Sequence, residues 1–443
     1  MKKILSVLCV LTVAAALFTG CAKKGGAGKG PVVVNLWSFT DEIPGMVDKY
    51  VADHPDCGFT VTKTIIATTE GAYQPALDQA LMAGGADAPD MYAAEAAFIL
   101  KYSQGDMQQY AMPYKDLGID IDKAIKAAEI APYTVDIGSN TSGQVDALGY
   151  QTTGGCFIYR RDIAKKVFGT DDPKEVNAII GGGSGNWNKF NDAAAKLAAA
   201  GCAIVSGDGD IWHAYENSSD KGWIVDGKLY IDPKREAFIY ASKALTDNGW
   251  SNQTQDWTDA WFADMKDAGA KPCFGFFGPA WLINYVLAGN SGDTYGKWAV
   301  CNSPIGFFWG GTWVLANKNM PAAKKNAVKT LIEWITLDTS NDGLLYKWAN
   351  GTLNGPNGTK DTVSSGVVLA KSDGKLDFLG GQNMFDYFVP ANKYANGKNL
   401  TQYDETINSL WREQVRAYAN GQKSRDAAIK DFKQNVADKL GVE

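Results

Sequence analysis

The sequence predicts an α/β protein of two domains. The first half of the chain alternates short apolar runs, typical of buried strands, with longer segments whose apolar residues recur at helical spacing. At 443 residues the chain is too long for one ordinary core and fits two domains of roughly 150–200 residues. Its hydrophobic content of 45% is that of a globular protein. Strands alternating with helices favour a largely parallel sheet covered on both faces, with ligands beyond the carboxyl ends of its strands.

The first half reads as three strand–helix pairs. The predicted elements are strand 31–37, helix 42–54, strand 59–66, helix 72–83, strand 90–95 and helix 98–110. Trp37, Thr68 and Glu95 stand at or just past the ends of these strands, where such folds bind ligands.

The second half begins with a long extended stretch, 145–159, which Thr152-Thr153-Gly154-Gly155 interrupts, and which predicts a strand crossing between the domains. The predicted elements that follow are helix 162–168, loop 179–185, helix 187–200, strand 201–206, helices 211–215, 233–248 and 256–266, strand 274–277, helix 279–287, strands 297–302 and 308–316, and helices 322–337 and 342–348. Apolar residues at helical spacing on either side of Gly421 predict two last helices.

The N-terminus has the pattern of a targeting segment. Two lysines precede an apolar stretch, 4–18, that is too short to span a bilayer comfortably. Small residues then precede Cys21, as in the lipobox of bacterial lipoproteins, although Phe18 stands where an aliphatic residue is usual. This predicts a signal peptide at 1–20, a lipidated Cys21 and a flexible tether at 21–31. The alternative is an ordinary secretory peptide cleaved nearby.

The stretch 250–313 is unusually aromatic. It holds seven of the fourteen tryptophans. Near its end, large aromatics alternate with glycines at Phe308-Trp309-Gly310-Gly311-Thr312-Trp313, where a buried strand would favour aliphatic residues. Flat aromatic faces beside bare backbone suit a flat, hydroxyl-rich ligand such as a sugar ring. The stretch therefore predicts a binding cleft, and the alternative for any single aromatic is a place in the core.

Several kinds of chemistry lack their residues. The net charge of −6 and the absence of a basic run argue against nucleic acid. His54 and His213 are the only histidines, and neither has a sequence partner that indicates a triad or a metal site. A glycoside-cleaving enzyme would need two carboxylates across a cleft. The candidates are Asp41, Glu42, Glu95, Asp208, Asp210 and Asp259.

Two further questions stay open at the level of sequence. The turn Asp208-Gly-Asp210 offers carboxylates to calcium but lacks the other ligands of a calcium loop. After Cys9 in the leader and the predicted lipid site, five cysteines remain, an odd number without metal-ligand spacing. Buried free thiols are the default interpretation, and one disulfide is the alternative.

Four stretches together resemble the extracellular solute-binding proteins of family 1, the sugar-binding receptors of ABC importers. The stretches are the leader with the strand 33–37; Gly84-Gly85 followed by Ala88-Pro89-Asp90-Met91; the crossing 148–160 with Asp162-Ile163; and Phe276-Phe277-Gly278-Pro279-Ala280-Trp281 followed by Trp309-Gly310-Gly311-Thr312-Trp313 and the helix 322–337. The resemblance covers nearly the whole chain after residue 32.

The resemblance implies two α/β lobes with a ligand cleft between them. By analogy, lobe 1 is 32–148 and 311–347, lobe 2 is 154–307 and 349–443, and the hinge segments lie near 149–153, 308–310 and 348. It implies an extracytoplasmic, lipid-anchored monomer that is not an enzyme, needs no cofactor or metal, and passes a sugar or oligosaccharide to the permease subunits of an ABC transporter. The alternatives are a secreted glycoside-acting enzyme and a receptor for another solute.

Site residues transfer from the family only where its motifs match. Trp281 matches the position after Gly-Pro where an aromatic commonly faces the sugar. Trp309, Gly310 and Gly311 match the aromatic-Gly-Gly turn of the second crossing, Thr152 and Thr153 match the first crossing, and Glu95 matches a polar strand end. Weaker candidates, chosen for their chemistry at strand ends or in loops, are Trp37, Asp208, Trp212, Trp257 and Trp261.

Overall fold

The computed structural model describes residues 31–68, 71–355 and 358–442, so the predicted signal peptide, Cys21 and nearly all of the tether lie outside the described residues. The strands are β1 Val32–Ser38, β2 Phe59–Ile65, β3 Met91–Glu95, β4 Ala147–Gly149, β5 Cys156–Arg160, β6 Ile224–Val225, β7 Lys228–Leu229, β8 Gly275–Gly278, β9 Trp298–Cys301 and β10 Thr312–Ala316.

Helices surround these strands. The helices of the first half are α1 Glu42–Asp53, α2 Tyr73–Ala83, α3 Ile99–Ser103, α4 Ile121–Ala128, α5 Pro132–Gly138, α6 Arg161–Phe168, α7 Pro173–Ile180, α8 Asn188–Ala199 and α9 Gly209–Asn217. Those of the second half are α10 Pro233–Glu236, α11 Phe238–Asp247, α12 Asp259–Asp264, α13 Ala280–Leu282, α14 Ala288–Asn290, α15 Lys325–Thr336, α16 Leu344–Ala349, α17 Gly366–Leu369, α18 Phe385–Ala391, α19 Asp404–Ala419 and α20 Arg425–Leu440. A π-helical turn, Ile283–Leu287, joins α13 to α14.

Local sequence patterns explain these elements. In β1, Val34 and Leu36 are fully buried, whereas Val33 is exposed and Asn35 is half-buried, which is the period of a strand with one buried face. In α15, Val328, Leu331, Ile332 and Ile335 are buried at helical spacing. These apolar faces bring the helices onto the sheets.

Two sheets organise the fold. Sheet 1 has the order β2-β1-β3-β10-β4, and sheet 2 has the order β8-β5-β9. The chain passes from sheet 1 to sheet 2 between β4 and β5, and returns between β9 and β10. We call 150–155 the first crossing and 302–311 the second crossing. The fold is the two-lobed α/β architecture expected from the sequence.

The prediction of a largely parallel sheet is wrong for much of the strand pairing. β1 is parallel to β2 and β3, but β10 is antiparallel to both β3 and β4, and sheet 2 is antiparallel throughout. The reason is the path of the chain: β10 enters sheet 1 from the second crossing and not from a βαβ unit, which would make it parallel.

Three element predictions need correction. The helix predicted at 98–110 ends at Ser103, where the N–H groups of Gln104 and Gly105 both bind the carbonyl oxygen of Leu100. Gly105 then packs against the side chain of Gln402, since a Cβ there would lie 2.3 Å from its Oε1. The strand predicted at 201–206 does not form, because the N–H of Ala203 binds Pro272 O and that of Ile204 binds Trp250 O, so no single partner strand exists. The prediction also missed α4, α5, α7, α17 and α18.

The described residues include the five cysteines that follow the predicted lipid site, and the structure shows their pairing state. Cys57, Cys156, Cys202, Cys273 and Cys301 are unpaired, and all but the half-buried Cys57 are buried. Within 31–68, 71–355 and 358–442, no helix combines the length and the apolar character that crossing a membrane requires.

Candidate functional site

Three tryptophans from separate segments meet in one group, the tryptophan cluster: Trp257, Trp281 and Trp309. The ring centroids of Trp281 and Trp309 lie 4.8 Å apart, with their planes inclined by 66°. The Trp257 centroid lies 6.2 Å from that of Trp281 and 6.0 Å from that of Trp309. Trp257 is 53% exposed, and the other two are half-buried. The cluster therefore offers aromatic surface to a ligand.

Hydrogen bonds and packing fix the cluster. Trp281 lies in α13, a short helix that begins directly after Pro279. Its indole N–H donates to the carbonyl oxygen of Trp309 in the second crossing at 3.0 Å. Trp257 packs against the ring of Trp261 at a centroid distance of 5.5 Å. Because a side chain of one segment binds the main chain of another, the relative position of Trp281 and Trp309 is set by the fold.

The two glycines of the second crossing are required by space and backbone conformation. Gly310 has φ +74°, and a Cβ there would lie 3.3 Å from Nε1 of Trp281 and 3.4 Å from Oε1 of Glu95. Gly311 has φ +115°, and a Cβ would lie 3.2 Å from the ring of Trp313. Both conformations favour glycine. Gly310 thus lies between the cluster and the Glu95 carboxyl.

Glu95 ends β3 beside the cluster. It lies opposite Thr312 in sheet 1, and its Oε2 accepts from the N–H of Ala97 at 2.7 Å. Burial raises the pKa of Glu95 to about 7, the charge of Glu405 adds to the rise, and backbone hydrogen bonds oppose it. Near neutral pH this carboxyl can both donate and accept a hydrogen bond.

Thr152 and Thr153 are buried and bind main-chain atoms. Thr153 Oγ1 donates to the carbonyl oxygen of Gly310 at 2.9 Å, and the N–H of Trp309 donates to Thr153 O at 3.1 Å. Thr152 Oγ1 donates to Val363 O at 3.2 Å. In this structure the Thr153 hydroxyl ties the first crossing to the second, and the Thr152 hydroxyl ties the first crossing to Val363. Both hydroxyls donate to main-chain oxygens, a role that differs from the one expected from the sequence.

Trp37 lies apart from the tryptophan cluster. It is half-buried near the end of β1, beside Tyr92 of β3, and packs against a core group that contains Tyr73 and Phe98. Trp37 therefore lies at the expected edge of sheet 1, but it does not belong to the tryptophan cluster.

Two further candidate tryptophans belong to the interior. Trp212 is 1% exposed and packs on Phe238 at a centroid distance of 4.9 Å. Trp261 is also 1% exposed, and its N–H donates to Oδ1 of Asp210 at 3.1 Å. These tryptophans are core residues here, and Trp261 reaches the cluster only by supporting Trp257.

Asp208 is likewise occupied by the protein itself. Its Oδ1 accepts from Nε of Arg416 at 3.1 Å, and its Oδ2 accepts from Ser242 at 2.8 Å. Asp210 accepts from the N–H of Gly207 at 2.9 Å as well as from Trp261. The described residues contain no group of three His, Cys, Asp or Glu side chains placed to hold one metal ion, and the carboxylates of this turn bind protein groups.

A second group of polar residues, the carboxylate group, consists of Asp41, Glu42 and Asp361. Burial raises the pKa of Glu42 to about 8, and the charges of Asp361 and then Asp41 add to it. Burial also raises the pKa of Asp361 to about 7, against hydrogen bonds from Thr362 and Gln151. Sequence reasoning named Asp41 and Glu42 only among possible enzyme carboxylates and missed Asp361.

Tyr285 links the carboxylate group to the tryptophan cluster. It lies one turn after Trp281 and is 47% exposed. Burial of its hydroxyl raises its pKa, and the charges of Asp361 and Asp41 raise it further. The neighbouring Asn284 side chain donates to the carbonyl oxygen of Lys360. Tyr285 therefore places the carboxylate group near the helical segment that carries Trp281.

His213 is the other residue that sequence reasoning missed. Its imidazole stacks on the indole of Trp309, with centroids 4.6 Å apart and planes inclined by 24°, and its Nδ1 lies 2.9 Å from Oε2 of Glu216. Spacing along α9 could indicate the pairing with Glu216. No local signal indicates the contact with Trp309, which comes from a distant segment.

The arrangement can bind a flat polar ligand by stacking and hydrogen bonding. Comparison with known proteins identifies the family. A family model described as bacterial extracellular solute-binding protein matches residues 45–366. No curated protein sequence matches the chain at a significant level.

Solved structures match most of the chain at low identity. A crystal structure of an extracellular solute-binding protein family 1 is 19% identical, with a TM-score of 0.72, and the match covers 92% of this chain and 99% of that one. The galacto-N-biose/lacto-N-biose I-binding protein of the ABC transporter from Bifidobacterium longum, in complex with lacto-N-biose, is 16% identical, with a TM-score of 0.69 and coverage of 94% and 98%. The sugar-binding protein MalE from Xanthomonas citri is 15% identical, with a TM-score of 0.66 and coverage of 93% and 98%. At these identities the likeness shows the fold.

Proposed function

The chain belongs to the family of bacterial extracellular solute-binding proteins, and from that premise we propose that it is a receptor that binds a carbohydrate and delivers it to the permease of an ABC importer. The family places it outside the cytoplasm. The observation that carries the proposal is the tryptophan cluster beside Glu95 and the carboxylate group, because stacking surface and hydroxyl partners are the two things a sugar needs.

The charges of the site favour an uncharged sugar over an anionic solute. Glu95 lies beside the tryptophan cluster, Asp41, Glu42 and Asp361 form the carboxylate group, and the cation Arg412 already pairs with Asp256. A phosphate ester or an acidic peptide would repel these carboxyls wherever they are ionised, and keeping them protonated near pH 7 would cost further free energy. Carboxyl groups with raised pKa can accept from one sugar hydroxyl and donate to another.

We place the binding residues accordingly. Trp257, Trp281 and Trp309 supply the stacking surface, Glu95 supplies a hydroxyl partner, and Gly310 and Gly311 keep the main chain open to close approach. Lobe 1 is proposed at 32–148 and 311–347 and lobe 2 at 154–307 and 349–443, with hinges near 149–153, 308–310 and 348. A ligand stabilises closure only through contacts with both lobes at once.

The same proposal includes a lipid anchor at Cys21, which would keep the receptor beside its permease. It assigns the protein no catalytic residue and no cofactor, and treats it as a monomer. A second copy is not needed to complete the site, since the tryptophan cluster and the carboxylate group come from one chain.

A thermal-shift screen against mono- and oligosaccharides tests the function. A sugar at a hundred times its dissociation constant adds about 2.7 kcal/mol to the free energy of unfolding. Uronates and sugar phosphates belong in the same panel and should give no shift. A shift with peptides or phosphate esters alone would replace the proposal by a receptor for another solute. Turnover of an aryl glycoside that is lost in Glu42→Gln would replace it by an enzyme.

A further inference from the structure

Helix α9 holds the second crossing with two side chains that lie one helical turn apart. His213 stacks on the Trp309 indole at a centroid distance of 4.6 Å. Asn217 accepts through Oδ1 from the N–H of Phe308 at 3.0 Å. One face of α9 therefore contacts two consecutive residues of the second crossing, Phe308 and Trp309. These contacts set the position of Trp309, which faces the candidate site.

His213 is itself fixed from behind. Its Nδ1 lies 2.9 Å from Oε2 of Glu216, whose Oε1 accepts from Nδ2 of Asn408 at 2.5 Å. Asn408 in turn accepts from the indole N–H of Trp223 at 2.6 Å. This chain of bonds starts in the core and ends at the ring that stacks on Trp309, so the orientation of the imidazole is defined.

These hydrogen bonds also determine which nitrogen of His213 would take up a second proton. Burial alone would raise the pKa of Glu216, but the hydrogen bond and charge of His213, followed by the charge of Arg235 and the bond from Asn408, hold it below its ordinary value. Glu216 is then an ionised carboxylate that only accepts, so Nδ1 of His213 must carry a hydrogen. Nε2 is the remaining nitrogen that can take up a second proton.

We propose that His213 is a positioning residue for Trp309 and makes sugar binding sensitive to protonation. The imidazole fixes the indole in the orientation that binding needs. A protonated ring binds more firmly, because it gains a cation–π contact with Trp309 and a full ion pair with Glu216. This inference rests on the proposed sugar-binding function, and it deepens that function by adding a regulatory input.

Other charged groups surround His213 and must be separated from it. Glu405 on α19 lies close enough for its charge to interact with those of His213 and Glu216, and burial raises the pKa of this carboxyl. The charge of Arg235 lowers the pKa of Glu216, and the charge of Glu216 raises the pKa of Asp404. A pH profile of the wild type alone would mix these groups, so the measurement needs variants that change only His213.

Two substitutions separate the ring from the proton. His213→Phe keeps a flat ring against Trp309 and removes the titration, while His213→Ala removes both. With a sugar identified by the screen, titration calorimetry at pH 5.5 and 7.5 should show wild-type affinity falling by roughly 2- to 30-fold more than that of His213→Phe as pH rises. His213→Ala should bind weakly at both pH values. Parallel profiles for wild type and His213→Phe overturn the proton dependence, and normal affinity in His213→Ala overturns the positioning role.

A measurement without ligand keeps the inference testable apart from the function. Trp309 fluorescence is isolated as the difference between each protein and its Trp309→Phe derivative. A stacked imidazolium quenches indole emission, so this difference should fall on acidification in the wild type and stay constant in the His213→Phe background. A constant signal in both backgrounds overturns the inference. No sugar response together with a normal quenching profile overturns the sugar-binding function instead.

Discussion

The indole N–H of Trp281 donates to the carbonyl oxygen of Trp309 at 3.0 Å. This bond joins α13, which follows β8 of sheet 2, to the second crossing, which leads into β10 of sheet 1. Two aromatic residues of the candidate site are thereby held at a centroid distance of 4.8 Å. Because one side chain contributes both stacking surface and this bond, substitutions at Trp281 can separate the two contributions.

Trp281→Ala should lower sugar affinity by roughly thirty- to a thousandfold. Aromatic contact and the burial of the ring together are worth about 2–4 kcal/mol. Trp281→Phe keeps a ring but loses the bond to Trp309, which is worth about 0.5–1.5 kcal/mol, so its affinity should fall by about tenfold or less. Titration calorimetry measures both.

A buried tryptophan away from the site provides the control. Trp411 is fully buried in the core beneath α20, and its indole N–H has no hydrogen-bond partner among the described residues. Trp411→Phe should lower the free energy of unfolding in urea melts and leave sugar affinity unchanged. If Trp281→Ala behaves like Trp411→Phe, Trp281 is a core residue and the binding surface lies elsewhere.

Gly310→Ala should weaken sugar binding more than it weakens the fold. The left-handed backbone costs a non-glycine residue roughly 1–2 kcal/mol, and the added methyl group would lie against Trp281 and Glu95. Gly183 has φ +76° and nothing within 4 Å of its Cβ position, so Gly183→Ala carries similar backbone strain without the close contacts. Calorimetry on both variants isolates the contact effect. Equal affinities in the two variants would contradict close packing at Gly310.

The sequence predicted the local elements better than the site. Strand and helix patterns are local, so most elements appear near their expected positions. The direction of β10 is not local, since it depends on the path of the chain from sheet 2. The same limit applies to Trp212 and Trp281: both are helical tryptophans, and only packing against Phe238 shows that Trp212 is core. His213 was missed because its partner Trp309 is distant in sequence.

The carboxylate group should make stability depend on pH. The pKa of Glu42 is about 8 in the folded protein, compared with an ordinary value of 4.5. Below pH 4.5 both states are protonated, and between 4.5 and 8 only the unfolded state loses the proton. The contribution to stability is therefore fully present below 4.5 and lost as pH rises through 8, with a slope of at most about 1.4 kcal/mol per pH unit.

Glu42→Gln should remove this slope. Urea melts at pH 5 and pH 8 should show the variant gaining stability relative to the wild type at the higher pH. Glu175 is an exposed glutamate that also lies in the first turn of a helix, so Glu175→Gln controls for the helix dipole. A wild-type slope that Glu42→Gln leaves unchanged would show that the Glu42 carboxyl is not desolvated.

Cys21→Ser should release the protein from membranes. The wild type is expected to partition into detergent because its lipidated cysteine carries acyl chains, while the variant should stay in the aqueous phase. Cys57→Ser, at a half-buried free cysteine, controls for loss of a thiol without loss of the anchor. Equal partitioning of the wild type and Cys21→Ser would remove the lipid anchor from the proposal.

Binding should bring the two lobes together. We propose that the first and second crossings, which join the two sheets, act as a hinge. A sugar that contacts Trp281 on one side and Glu95 on the other would then gain most when both are close. Solution scattering should therefore show a smaller radius of gyration at saturating sugar.

Trp309→Ala provides the matched measurement, since it removes stacking surface at the hinge itself and should need far more sugar to reach the same compaction. The radius of the ligand-free variant should equal that of the ligand-free wild type, which separates a binding defect from a change in resting shape. An unchanged radius for wild type with calorimetrically saturating sugar would mean that the site binds without lobe movement, and the hinge segments near 149–153 and 308–310 would then be fixed connections.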